Sequence, residues 1–340
     1  MRERVPIFVL FQEIMNIADG RTVADFQKFT FSGHLRAHVS KVLDENIKLG
    51  HADYACYWTL ELLCSGLVHS MWNTLFESSA RHINRAAPNV FLYLVQSYEK
   101  FAPYEGQYSI LAMTDMRNNL QIRNMVCEAA ATVALTRKNK LPHLPVIKPT
   151  HDFQHATVQE NLKSPSASYA RHIVKEDDPI DLYVPLNELA YCLRAESRDF
   201  TRALYWISWM LKFTSVYKNT HKQPLDCSYR PNPYIDQAHG RNVIWLIWDM
   251  VRDSARASPQ AGVLAPYLDA LYKLHCLRWS PTVAKARCVY LISACLFICE
   301  SNTLDIHYPV PQNIMTVKNI VENSPEWINS IIQTQKTFSA

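Results

Sequence analysis

The sequence predicts an all-α protein: two related five-helix units joined by a Pro-rich linker, with short extra helices at the ends. Three observations lead there. Glycine is scarce, 7 in 340 residues, which starves tight hairpins and phosphate-cradling loops, since both need positive φ or close backbone approach. Apolar residues recur with the period of a helix face over ten successive segments. The same aromatic landmarks then return in the same order in the second half of the chain.

After an N-terminal extension (1–30), the first unit (31–138) has helical periodicity through 35–49, 53–66, 71–85, 89–102 and 117–138. The stretch 139–181 changes character, with Pro142, Pro145, Pro149, Pro165 and Pro179 and a polar run from Lys163 to Ser168. It reads as the linker. Periodicity resumes in the second unit (182–300) through 184–195, 199–217, 241–256, 262–277 and 281–300, interrupted by a Pro-rich polar loop at 219–239. Residues 301–340 carry a helix over 311–322 and a short one opening at Ser324-Pro325-Glu326, with proline in the first turn where its missing N–H costs nothing.

The repeat rests on particular residues. Tyr57-Trp58 matches Tyr205-Trp206, Trp72 matches Trp248, Ser79-Ala80-Arg81 matches Ser254-Ala255-Arg256, and Tyr93-Leu94 with Tyr98 matches Tyr267-Leu268 with Tyr272. The offset between the copies grows across the 219–239 loop. In the fifth helix Arg123 to Arg137 corresponds to Lys285 to Cys299, a basic start leading into small and apolar residues. Aromatic residues at helical spacing are also what a core requires, and duplicated units would repeat their core.

Composition narrows the function. Hydrophobic residues make up 48% and charged residues 19%, with 8 Trp and 17 Tyr, a balance that implies extensive buried surface and a protein interface or self-association. A net charge of +4 attracts polyanions weakly unless the charges cluster. The nine cysteines, an odd number, sit mostly in apolar helical stretches as small hydrophobes, which points to a reducing, intracellular setting. The basic start Met1 to Arg4 and the apolar run Val5 to Phe11 are cut short by Gln12 and Glu13, too soon for a secretory signal. The apolar segment Cys288 to Cys299 has about half the length of a membrane span.

No glycine is followed by Lys-Ser or Lys-Thr, and G-x-G-x-x-G, G-x-S-x-G and H-E-x-x-H are absent. The expectation is a protein without enzymatic activity, cofactor or metal. His34 and His38 share an i, i+4 spacing that could hold a metal, but zinc wants three or four ligands and no third is near. His151 and His155 repeat the spacing in a stretch where helix is not expected, and Cys295 and Cys299 repeat it amid Leu296, Phe297 and Ile298, which favours core packing. Of Glu176-Asp177-Asp178, the aspartates suit a turn. Glu188, an acid within an apolar helix, is expected to pair with Arg194 or a linker lysine.

Positive charge gathers at Arg137, Lys138, Lys140 and Lys148, and again at Lys212, Lys218, His221, Lys222 and Arg230. Phosphate contacts need only Lys and Arg on one face, whereas sequence reading needs an element fitted to a groove, and no such motif is present. Arg137, Lys138, Lys140, Lys148, Lys218 and Lys222 are therefore the candidate contacts for non-specific nucleic acid or a protein partner. The competing reading of such clusters is a solvated helix end.

The strings Tyr57 to Gly66, Ser168-Tyr169-Ala170, Asp177-Asp178-Pro179, Asn187 to Tyr191 and Tyr205 to Trp209 resemble a family of helical proteins of nucleocytoplasmic large DNA viruses, over residues 30–300. That resemblance implies a viral setting (host cytoplasm or nucleus, the virus factory, or the virion) and brings no catalytic residues. The helix Ala203 to Leu211 is similar to one in the helical collar of clamp-loader proteins, which holds ring subunits together. The ATPase module of those proteins is missing and the helical unit occurs twice, so the implied role is a collar-like, non-enzymatic scaffold in viral DNA replication, with replication proteins or a second copy as partner. A virion or assembly component and a transcription accessory factor are the alternatives.

Overall fold

The computed structural model describes residues 16–339; the basic start and the apolar run Val5 to Phe11 lie outside them. The described residues are all-helical, with one isolated antiparallel bridge, Phe29 with Leu35, and no strand. The helices are α1 (Arg36–Leu49), α2 (Ala52–Cys64), α3 (Val68–His82), α4 (Asn89–Gln107), α5 (Leu120–Leu135), α6 (Pro149–Asp152), α7 (His155–Asn161), α8 (Tyr183–Cys192), α9 (Phe200–His221), α10 (Val243–Arg256), α11 (Ala261–Cys276), α12 (Ala284–Cys299), α13 (Ile314–Glu322) and α14 (Ser324–Ser339). None is long and apolar enough to cross a membrane.

Local chemistry sets many of the ends. Asn119, Asp199, Asn242 and Asn313 each accept a first-turn backbone N–H of the helix that follows, the role for which short polar side chains are favoured. Gly50 stops α1 at φ +79, a left-handed conformation that costs glycine little. Pro103, where the sequence reading ends the fourth helix, removes one backbone donor, yet α4 continues to Gln107. The 139–181 segment contains two short helices, α6 and α7, which its prolines concealed; Pro149 stands in the first turn of α6, where no N–H is required.

The chain divides into two compact units. One holds the residues up to Asn139 together with the chain from Ile306 onward; the other holds Lys140–Asp305. The 301–340 segment is therefore largely a completion of the first unit, and the expected linker lies inside the second. The last helix is also longer than expected. Ile328 and Ile331 of α14 are fully buried, and this apolar stripe against α2 sustains a helix that extends to Ser339.

In the first unit α2 packs on α1, α3 and α5, α1 also packs on α3 and α5, and α4 bridges α3 and α5; α13 and α14 lie against α2 and α5. The segment before α1 is fastened by Asn118, whose Oδ1 accepts the N–H of Ile17 at 2.9 Å while its Nδ2 donates to the Ile17 carbonyl at 3.0 Å. Fully buried Trp72 has ring neighbours Phe76 at 5.4 Å, Tyr98 at 5.6 Å and Phe101 at 5.3 Å. Glu61, also fully buried, accepts the N–H of Ser32 at 2.8 Å and its hydroxyl at 2.7 Å.

In the second unit α8 packs on α9 and α10, α9 on α10 and α12, and α11 on α10 and α12, with α10 also on α12. Taking α8–α12 as counterparts of α1–α5, each of these pairs has its equivalent in the first unit. Trp248 is fully buried between Tyr272 and His275, each 5.2 Å away. The i, i+3 pair on which the indole rests is thus Tyr98 and Phe101 in one unit, Tyr272 and His275 in the other. Neither Trp72 nor Trp248 has an acceptor for its indole N–H among the described residues.

Burial holds His275 neutral and drives its pKa down to about 3, against the smaller effect of the Arg287 carbonyl, 3.1 Å from Nδ1. An unfolded chain takes up this proton near pH 6.5, which the folded chain refuses. The stability due to neutral His275 is complete above that pH and falls away as the pH drops toward 3. Urea titrations of the wild type and His275→Phe should converge in pH dependence above pH 7 and diverge below 6, the wild type losing about 1.4 kcal/mol more per pH unit. Trp72→Ala should cost about 3–5 kcal/mol at any pH, measured in the same way.

Candidate functional site

Two buried acids of the second unit, Glu188 and Asp178, are held by backbone N–H groups, Asp178 by an opposite charge as well. Glu188 of α8 is 2% exposed; its carboxylate accepts the N–H of Lys163 at 2.9 Å and of Ser164 at 3.0 Å. The expected pairing with Arg194 or a lysine side chain is replaced by two backbone donors, and the Arg194 guanidinium lies instead 5.3 Å from the Tyr169 ring. Asp178 accepts the turn N–H of Lys175 at 2.8 Å, as its position suggests, and also that of Ser228 at 2.9 Å. It further takes a bidentate bond from Arg230, at 2.9 and 2.7 Å, while Arg230 Nε donates to Asp249 at 2.8 Å. Burial alone would raise the Asp178 carboxyl, but Arg230 and the two N–H groups hold it below the ordinary carboxylate range.

Arg230 is therefore removed from the basic cluster: its side chain is 4% exposed and committed to a buried ion pair. Lys138 is similarly occupied. Its ammonium donates to the Val133, Ala134 and Thr136 carbonyls at the end of α5, and burial pulls its pKa down to about 8. Arg137 donates to the Ala86 carbonyl and places its guanidinium 4.2 Å from the Tyr308 ring. These two belong to the first unit, and Lys140, Lys148, Lys218 and Lys222 to the second.

Lys140 and Lys148 are exposed, Lys148 as the residue before α6. That helix is pinned to α9: Trp209 Nε1 donates to the Asp152 carbonyl at 2.9 Å, and Phe153 packs 4.9 Å from Trp209 and 5.6 Å from Phe213. The proximal half of α9 buries Ala203, Leu204, Trp206, Ile207, Ser208, Trp209 and Met210. From Leu211 to His221 no residue is buried, because the apolar run ends and Lys212, Thr214, Ser215, Lys218 and Asn219 take over. The distal half, roughly 16 Å at 1.5 Å per residue, keeps Leu211, Phe213, Thr214, Val216 and Tyr217 half-buried and turns its lysines to solvent.

No acid occurs between Asp199 and Asp226, so the exposed Lys212, Lys218 and Lys222 have no carboxylate neighbour along the helix. At 100° per residue these three fall within about one third of the helix circumference. His221, exposed at the helix end, lies 4.2 Å from the Tyr217 ring. The helix carbonyl end favours cations here, and a polyanion would meet three exposed lysines on this stretch. Lys212, which sequence reading placed in the cluster without singling it out, belongs with Lys218 and Lys222 because the helix runs past 217.

His34 precedes α1 and sits 5.2 Å from the Trp58 ring, while His38 is exposed. No group of three metal-ligating side chains is assembled among the described residues. All nine cysteines are buried and unbridged, Cys295 and Cys299 inside α12, and burial pushes thiols such as Cys276 and Cys288 up to about 11. Comparison with known protein families, curated proteins and solved structures finds no match for the chain.

The two kinds of cation respond differently to removal. Arg230→Met leaves Asp178 buried and unpaired and should lower unfolding stability by about 3–5 kcal/mol. Lys218→Ala and Lys222→Ala, at exposed positions, should change it by less than about 0.5 kcal/mol in the same urea titration.

Proposed function

We propose that this protein is a non-enzymatic helical scaffold that engages the phosphate backbone of nucleic acid through the distal half of α9. The carrying observation is that half-helix: without a fully buried residue, without an acid, with Lys212, Lys218 and Lys222 exposed within about one third of its circumference. Unlike a groove-reading element, it offers charge and no constellation of base-specific side chains, which suits sequence-independent contact. The acids and bases that first attract attention, Glu61, Glu188, Asp178, Arg230 and His275, are buried and tied into the fold. We place the scaffold in the DNA transactions of a large DNA virus, as a collar-like accessory of replication built from a duplicated five-helix unit. The duplication is supported by the parallel packing of α1–α5 and α8–α12 and by the equivalent Trp72 and Trp248 sites.

A duplex DNA titration at two salt concentrations tests the contact. Each phosphate neutralised should contribute about 0.9 to the slope of log affinity against log salt. Replacing Lys212, Lys218 and Lys222 together by Gln should weaken binding at low salt and reduce that slope by up to about 3. A salt-independent isotherm, or an unchanged slope in the triple variant, would remove nucleic acid as the ligand. Recovery of clamp, clamp-loader or polymerase subunits with the protein from infected cells supports the replication setting; recovery of capsid proteins alone sinks it.

A further inference from the structure

The 162–170 segment is held down by three side chains of α8, one of them Tyr183, whose hydroxyl donates to the Ala167 carbonyl at 2.6 Å. Glu188 takes the N–H groups of Lys163 and Ser164. Asn187 Oδ1 accepts the N–H of Ala170 at 3.3 Å, and its Nδ2 donates to Ser164 Oγ at 3.1 Å and to the Ser166 carbonyl at 2.8 Å. Ser164 lies at the centre of this clasp: its hydroxyl donates to the Ser166 carbonyl at 2.6 Å, and its amide is bound to the buried carboxylate. Ser164 itself is half-buried, in a loop whose residues 165–168 are all exposed. Pro165 keeps Ser164 in extended backbone, the form in which a peptide enters a kinase cleft.

We propose that Ser164 is a phosphoacceptor for a proline-directed protein kinase, and that phosphate there releases the 162–170 segment from α8. In the transfer, Ser164 Oγ attacks the γ-phosphorus of a nucleoside triphosphate bound to the kinase. The new O–P bond forms as the bond to the β,γ-bridging oxygen breaks, the nucleoside diphosphate departs, and the hydroxyl proton passes to the kinase's base. The product carries about −1.5 to −2 charges. It has lost the hydroxyl donor to Ser166 and sits one residue's span from the Glu188 carboxylate, which has little solvent to screen it. Like-charge repulsion at a desolvated site opposes the two N–H bonds that fasten the loop. Three other serines precede proline: Ser258 and Ser280 cap or pair within local turns, and Ser324 is buried. None of them touches a buried carboxylate, so Ser164 is the position where this modification has a structural consequence.

The full chain is incubated with a purified proline-directed kinase and magnesium ATP, the phosphosites are mapped by mass spectrometry, and amide exchange is followed across 158–175. Phosphate on Ser164, with exchange at Lys163 and Ser164 faster by roughly tenfold or more, supports the proposal. Ser164→Ala should lose that phosphate and the change in exchange while keeping the exchange pattern of α10–α12. In Glu188→Gln the phosphate-induced acceleration should shrink, because one of the two repelling charges is gone. Absence of phosphate from Ser164 in the folded chain, or phosphate there with unchanged or slower exchange, overturns it, and the mapping on wild-type protein decides this even where a variant folds poorly.

Discussion

A carboxylate buried in a helix must be met by donors, and in each unit of this protein a non-helical segment supplies them, with backbone N–H groups among them. Glu61 draws in Ser32, and Glu188 draws in Lys163 and Ser164. A buried carboxylate without partners would cost several kcal/mol, so these acids dictate where the irregular chain runs before it enters the helices. The Ser32 hydroxyl also reaches the Ile331 carbonyl at 3.2 Å, which brings the closing helix α14 into the same knot. Segments that composition would class as connectors are thereby made part of the packed structure.

Around these anchors the helices are organised by aromatic side chains. Trp72 and Trp248 occupy the middle of their units, each against a residue pair one helical turn apart. The second unit departs by using His275 where the first has Phe101, and by surrounding it with Trp245 and Tyr290 as well as Trp248. The consequence is an imidazole that contributes as a neutral aromatic ring and makes that unit sensitive to acid. Arg123 and Arg287 form a further parallel: each is a buried guanidinium near the start of the fifth helix that donates to a carbonyl of the segment before it.

The basic residues divide by the same logic of burial. Arg230 is consumed by Asp178 and Asp249, and Lys138 by the open carbonyls of α5, so their charge is spent inside the molecule. Those on distal α9 are exposed and, among the described residues, lie near no acid along the helix. Charge available to a partner is thus a smaller set than the count of Lys and Arg implies, and Lys212, Lys218 and Lys222 belong to it.

Helical class, the order and approximate span of ten helices and the tryptophans of both cores were legible in the sequence, because a 3.6-residue apolar period and glycine scarcity are local properties. So was the oddness of Glu188, an acid in an apolar helix. Its partners were not, since backbone N–H groups 24 and 25 residues upstream leave no mark on side-chain identity. The Asp178–Arg230 pair, 52 residues apart, was hidden for the same reason, and Arg230 read as surface charge. That Ile306 onward returns to the first unit, that distal α9 has no fully buried residue, and which lysines remain exposed are all consequences of long-range packing. Local sequence determined which segments are helices and which faces are apolar; tertiary structure alone decided which charges are neutralised, because that depends on groups brought together from distant parts of the chain.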